Sequence, residues 1–388
     1  MLRSVTTAAA LAHGMWGAMA EEVSLCGKTY SHSWETKASM LAPRSDMTAT
    51  TVSGSIYLVG GCSADQTWKT GPYPGYACGG GLASAVTDAT TAYKPDTNEH
   101  VTLAKAPRVR TRHAAAEVNG MIYLFGGVDG GETIVKEVDV YNVAADSWST
   151  LPDLYAGATT DNSAFAYKGK IYIVGGYTND FVAQKTVTIY DPAKTGTDAW
   201  SQGPPLLQAR GDFSAVLVGD SALALGGFHD GNNFEEPLDS LERLDLGAGA
   251  TSWVVRKSMA VARGDKAVAV ANGALHVVGG EGKNADGHSV PKEDVEVYHP
   301  DCNEWQAGGK IPSKRFRFTA ASWNGSLFIF GGQGYLEGNY GSASSKYPVL
   351  ATVEQYVEKV EEPVDTDATP SRSTVGFVAL LLGLAASM

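Results

Sequence analysis

Five arginines recur at one fixed distance from a pair of glycines. Arg44, Arg110, Arg210, Arg263 and Arg315 each stand sixteen positions before the first residue of Gly60-Gly61, Gly126-Gly127, Gly226-Gly227, Gly279-Gly280 and Gly331-Gly332, and Thr159 holds that place before Gly175-Gly176. Guanidinium groups gathered in one place offer forked N–H donors that fit carboxylates and sulfates bidentately. Two positions further on stand Asp46, Arg112, Asp161, Asp212, Asp265 and Arg317, so Arg112 and Arg317 replace an acid and leave their copies the most positive. The chemistry on offer is recognition of an acidic group. The alternative is structural, with the arginines satisfying carbonyls between neighbouring units and Asp46, Asp212 and Asp265 neutralising the arginines beside them.

Positioning such a series requires a repeated element. Each glycine pair closes a short apolar run, such as Ile122-Tyr123-Leu124-Phe125 or Ile171-Tyr172-Ile173-Val174, and most runs follow a turn such as Asn119-Gly120, Lys168-Gly169, Asn272-Gly273 or Asn324-Gly325. An alternating segment precedes each turn, so the pattern predicts a β-hairpin. Downstream come a Tyr, a second turn and a Trp: Tyr141 with Trp148, Tyr190 with Trp200, and Tyr298 with Trp305, with Tyr93 and His100 or Leu244 and Trp253 as degenerate copies. Four short antiparallel strands per unit, at a period of about 50 residues, cannot bury both faces alone and must pack on their neighbours around an axis.

The glycine pairs, the spaced Tyr and Trp, and the Arg that opens each unit make the segment from Tyr30 to Tyr356 resemble the kelch-repeat family. That resemblance implies an all-β fold, a six-bladed propeller over residues 25–358. Ten positions separate His100 from Arg110, Trp200 from Arg210, Trp253 from Arg263, and Trp305 from Arg315, and Trp34 lies the same ten before Arg44. The sixth unit has Tyr356 but no Trp after it, so Trp34 is expected on the outer strand of the sixth blade, which closes the ring. The arginines then surround the mouth of the central channel, on the face that carries the loops between second and third strands. Ligand-binding candidates are Arg44, Arg110, Arg112, Arg210, Arg263, Arg315 and Arg317. Trp68 in the first blade's loop and Tyr335 and Tyr340 in the sixth blade's are candidates for an aromatic wall beside them, or for anchors of their own Gly-rich loops.

The expected function is a binding protein that takes an acidic glycan or an acidic protein segment at this mouth. A carbohydrate-active enzyme is the alternative, since sialic acid mutarotases resemble this fold; Arg210 and Arg263 would then bind a carboxylate and Glu281 would serve as general acid and base. A structural interaction domain without a small-molecule site is the third reading. Copper radical oxidases and nitrile-forming specifier proteins share the fold, but their copper set and Glu-x-x-x-Asp-x-x-x-His motif are not recognisable here, and neither metal nor cofactor is expected. His229, Asp230, Glu235 and Glu236 fit no calcium-loop spacing and read as a solvated loop.

The ends and the composition suggest where the protein works. Residues 1–20 read as a signal peptide ending Ala18-Met19-Ala20, 359–374 as an acidic, Ser/Thr/Pro-containing linker, and 375–388 as an apolar tail like that of a glycolipid-anchor signal. A secreted or surface-anchored protein is expected, with a membrane met only through that anchor. The 30 basic against 42 acidic residues give a formal charge of −12, which disfavours nucleic acid as a partner. Four cysteines are expected to form two disulfides: Cys62 with Cys78 inside one loop, and Cys26 with Cys302 across neighbouring blades on the other face. Asn324-Gly325-Ser326 is a glycosylation sequon set in a tight turn.

Overall fold

The structure is a computed structural model. It describes residues 23–361 except 26–27, 65, 69–73, 76–82, 153, 230–235, 286, 288 and 336–345. The expected leader, most of the linker, the tail, Cys26, Cys78 and Tyr340 lie outside these residues, as does the side chain of Trp68.

Six antiparallel sheets of the same order surround an axis. The second blade shows the unit: Ala114–Val118 is innermost, followed outward by Met121–Phe125, Asp139–Asn142 and Ser147–Thr150. The apolar run that ends at each glycine pair forms the second strand, and it is the most deeply buried because it packs on both neighbouring blades. The Tyr and Trp of each unit sit opposite one another on the third and fourth strands, as with Tyr141 and Trp148, Tyr190 and Trp200, and Tyr298 and Trp305. Their rings lie 4.7–5.0 Å apart. The indole N–H of Trp148 then donates to Ala104 O, that of Trp253 to Pro204 O and that of Trp305 to Lys257 O, which ties these three outer strands to the exit of the preceding blade.

The closure expected of Trp34 is present. Lys28–Lys37 pairs with Val353–Glu361 in the sixth blade, Trp34 faces Tyr356, and the ladder runs from Thr29 opposite Glu361 to Lys37 opposite Val353. This strand therefore continues through Lys359 to Glu361, into residues expected to begin the linker. Val23–Leu25 adds a fifth strand at the outer edge.

Candidate functional site

The repeated arginines do not reach the channel. Arg110 donates through Nη1 to Gly126 O (2.9 Å), and through Nη2 to Glu137 O (3.0 Å) and Asp139 (2.6 Å). Arg210 does the same with Gly226 O (2.9 Å) and Glu242 (2.6 Å), Arg315 with Gly331 O (3.2 Å) and Glu354 (2.6 Å), and Arg263 with Gly279 O (3.1 Å) and Glu296. The first blade lacks the carboxylate, and Arg44 donates to Gly60 O (3.2 Å) and Thr91 Oγ1 (2.7 Å). Thr159 shortens the device to one bond from Oγ1 to Gly175 O (2.8 Å). Each glycine of these pairs takes a positive φ, and a Cβ on Gly126 would stand 2.0 Å from Thr159 O, so the bend that offers the carbonyl to the arginine needs glycine. All five guanidinium groups are buried within their own blades. Their expected place as ligand-binding groups at the mouth is corrected accordingly: the reach from first strand to glycine carbonyl turns the side chain into the blade.

The residues two positions on line the mouth instead. Asp46, Arg112, Asp161, Asp212, Asp265 and Arg317 all adopt φ of +50° to +56°. That conformation turns each N–H along the ring, where it donates to the carbonyl of the equivalent residue in the preceding blade. The bonds are Arg112 N to Asp46 O (3.0 Å), Asp161 to Arg112 (2.9 Å), Asp212 to Asp161 (3.2 Å), Asp265 to Asp212 (3.0 Å), Arg317 to Asp265 (2.8 Å) and Asp46 to Arg317 (2.9 Å). The circle returns to its start after six steps, an independent count of the blades.

The side chains of this ring form two matched sets. Arg112 lies 3.5 Å from Asp161, and Arg317 lies 3.2 Å from Asp265 and 4.0 Å from Asp46. Asp161 is hydrogen-bonded to Asp212, and Asp265 to Glu281, whose carboxyl also meets Ser289. Carboxyls this close cannot all ionise. Burial raises Asp161, and burial followed by the charge of Asp161 pushes Asp212 well above the usual range. Burial, then Asp265, raises Glu281 to about 7, and burial raises Asp46 to about 6 against the pull of Arg317 and Arg112. Tyr177 caps Asp212 with its hydroxyl, and its ring occupies space that any Cβ on Gly211 would invade at 2.1 Å.

Glu281 supplies a test of this network. Its proton is bound more tightly in the folded chain, so the folded state is favoured below about 4.5 and loses that advantage as pH rises through about 7. Glu281→Gln is neutral throughout, so its stability relative to the parent should increase between about pH 5 and about pH 8. Denaturant midpoints of the two proteins at both pH values check this; a constant difference would show that the carboxyl ionises normally.

The remaining candidates are placed as follows. Lys346–Tyr347 pairs with Gln66–Trp68, which pairs with Pro74–Gly75, so loops of the sixth and first blades share one small sheet. Tyr335 is half-buried against Tyr347 (6.2 Å), and Tyr347 packs edge-on to Phe316 (5.6 Å), so these two rings anchor the loop. Asn324 is exposed at φ +48°, but Asn272 of the fifth blade bonds the adjoining Gly325 O (3.1 Å) and crowds the turn. Cys62 and Cys302 are both disulfide-bonded. Cys62 is buried between Ser45 and Val86, and Cys302 lies in the turn between Asp294–His299 and Glu304–Lys310. Tyr177 was missed by sequence reasoning. It occupies the position after a glycine pair, as do Cys62, Val128, Phe228, Glu281 and Gln333, and polarity at that place was the available signal.

Six antiparallel blades, five stapled by arginine and the third by Thr159 to glycine carbonyls, and closed by an N-terminal strand, define a kelch-repeat β-propeller. The model of the Attractin/LZTR1 beta-propeller family matches residues 75–339, and the chain belongs to that family. It is 29% identical over 254 residues to Kelch repeat protein M-T8 of Myxoma virus (strain Lausanne), covering 65% of this chain and 47% of that protein. It is 26% identical over 292 residues to mouse Kelch-like protein 36, covering 74% and 43%. The chain thus spans less than half the length of these curated relatives. Among solved structures, that titled "Structure of YjhT" superposes with a TM-score of 0.63 at 17% identity, covering 82% of this chain and 96% of the other, which establishes likeness of fold alone.

Proposed function

We propose that the protein is a protein-binding propeller, and that its partner docks on the face carrying the loops between second and third strands and the connections between blades. The observation behind this reading is where apolar side chains are exposed. Leu41, Leu154 and Leu207 lie in connections between blades, and Phe181 and Val182 in the third blade's loop, all 42–58% exposed; among the described residues only Val254 and Val255 join them, on an outer strand. The turns of the opposite face are polar, as at Asn119-Gly120 and Asn272-Gly273. Apolar residues gathered on one face of a soluble fold mark an interaction surface. The kelch-like relatives support the same class. An acidic glycan or peptide is a weaker fit than the sequence suggested, because Arg112 and Arg317 are all that remains of the positive ring and both are matched by aspartates. Action outside the cytosol is supported by the bonded cysteines and by the leader-like and anchor-like segments.

Phe181→Asp combined with Val182→Asp should abolish cross-linking to the partner on cells while leaving the melting temperature within a degree or two, as expected for surface changes. Equal cross-linking by parent and variant would move the docking face elsewhere.

A second reading, acid–base catalysis on an acidic sugar, draws on Glu281 alone. A carboxyl titrating near 7 beside Arg317 is poised for proton transfer. Arg210 and Arg263, its supposed carboxylate binders, are buried in their blades. Exchange spectroscopy on anomers of acidic sugars tests it: turnover by the parent that Glu281→Gln removes would favour the enzyme.

A further inference from the structure

Val254 and Val255 stand apart from the other exposed apolar residues. They lie in Val254–Arg256, the outermost strand of the fourth blade, which pairs inward with Leu241–Asp245 and ends the sheet. At the place of Val255 the outer strands of the first three blades expose Thr102, Thr150 and Gln202. Polar residues are expected there, because an open edge with apolar side chains invites another chain to pair with it. The fourth blade instead shows two valines in succession, 47% and 67% exposed.

The next place departs in the opposite sense. Leu103 and Leu151 hold it in the first two blades, where their N–H groups donate to Thr90 O and Val138 O, and Arg256 holds it here opposite Leu241. Among the described arginines, Arg256 alone has neither an ion pair nor a side-chain hydrogen bond. Its Nε is buried without an acceptor, so the Nη end is what remains to meet solvent. The cations beside it are matched, Arg243 by Ser221 Oγ (2.9 Å) and Asp245 (3.3 Å), and Lys257 by Glu304. Burial raises the Tyr298 hydroxyl while Arg256 and then Arg243 oppose that rise, so both guanidinium groups border the seam with the fifth blade. One positive charge is therefore left uncompensated beside two exposed valines, on a chain whose formal charge is −12.

This combination indicates the occupant. An edge strand gives a partner main-chain hydrogen bonds, and the side chains along it set the specificity. The molecule accepts an added strand once already, at the sixth blade, where Val23–Leu25 pairs on the outer edge of Lys28–Lys37. In the fourth blade Lys257 N donates to Asn303 (3.2 Å) and Lys257 O accepts from Trp305 (2.7 Å), so Val254–Arg256 is the stretch left for pairing. A second copy docking edge to edge would bring another uncompensated Arg256 and no acid.

We propose that this edge binds an extended acidic segment of a partner protein, with a carboxylate on Arg256 and two adjoining aliphatic side chains covering Val255 and Val254. The surface lies on the rim of the propeller, apart from the docking face proposed above, and does not depend on it.

The test uses the whole chain and the peptide acetyl-Ser-Glu-Val-Val-Ser-amide as probe, with glutamine for its glutamate in one control and serine for both valines in the other. Calorimetry at low ionic strength should show the probe binding about tenfold more tightly than either control. Arg256→Met keeps an apolar stem where other blades carry leucine. It should weaken the probe by about tenfold, while its peptide-free melting temperature stays level or rises because no partner of the guanidinium is stranded. Lys94→Met, which removes an exposed charge from the first blade, should leave binding unchanged. The proposal is overturned if either control binds as tightly as the probe, if Arg256→Met binds it unchanged, or if Lys94→Met weakens it equally. A fall in the melting temperature of Arg256→Met would also overturn it, by showing that the guanidinium is already engaged. So would a dimer of the parent in sedimentation that Val255→Asp dissolves, which would assign the edge to a second copy.

Discussion

Arg210→Ala should cost the propeller about 3–5 kcal/mol, the range found when one member of a buried ion pair is removed. The guanidinium is fully buried and serves four acceptors at once: Gly226 O, Ser240 O, Ser240 Oγ and the Glu242 carboxylate. Without it, Glu242 keeps the backbone N–H groups of Leu207 and Gln208 but stands in the interior with no cation. Arg44→Ala gives the contrast, because among the described residues Arg44 donates only to Gly60 O, Ala89 O and Thr91 Oγ1. Losing charge-assisted bonds to neutral partners costs about 1.5–3 kcal/mol. Denaturant midpoints at unchanged slope should therefore rank Arg210→Ala below Arg44→Ala, and adding Glu242→Gln to Arg210→Ala should recover part of the loss. Equal midpoints for the two single variants would mean that the carboxylate adds nothing to the staple.

The two arginine series explain what the sequence disclosed and what it withheld. A spacing of sixteen between Arg and Gly is legible because one bond from Nη1 to the glycine carbonyl demands it in every blade that has the arginine. The closure by Trp34 was legible for the same kind of reason, since the step of ten from outer strand to next blade recurs at four of the other five junctions, with Trp148 to Thr159 one longer. Which way the arginine points was not legible. That depends on a left-handed residue two positions later, and aspartate or arginine there gives no sign of its φ. The pairing of Asp265 with Glu281 was hidden as well, because the two meet only when the blade folds the position after its glycine pair back beside its own first strand, at the Gly264–Glu281 bridge. Local repetition thus reported the scaffold, while the chemistry of the mouth sits in departures from it, at Arg112, Arg317 and Glu281.

Tyr356 carries the second large expected effect, since it joins the two ends of the fold. Its buried ring packs on Trp34 (5.0 Å), His32 (5.5 Å) and His276 (5.5 Å), and its hydroxyl donates to Gly308 O of the fifth blade (3.2 Å). Tyr356→Ala removes all of these and should cost about 3–5 kcal/mol, as for other buried aromatics. Tyr356→Phe strands the Gly308 carbonyl and should cost about 1–3 kcal/mol. Tyr141→Ala empties the equivalent place in the second blade, where the facing Trp148 is held by its own neighbouring strand. Both alanine variants lose similar contacts, but only Tyr356 anchors a strand contributed from the far end of the chain. Tyr356→Ala should therefore expose residues 28–37 to limited proteolysis under conditions in which Tyr141→Ala stays intact, because local opening there needs no disruption of another blade. If both variants were cut alike, or neither within 28–37, the closing strand would be held by its backbone ladder to Val353–Glu361 rather than by this ring. A propeller has no hydrophobic core along its axis, so the strength of that one seam limits how far the circle of six N–H bonds at the mouth can hold its shape against thermal opening.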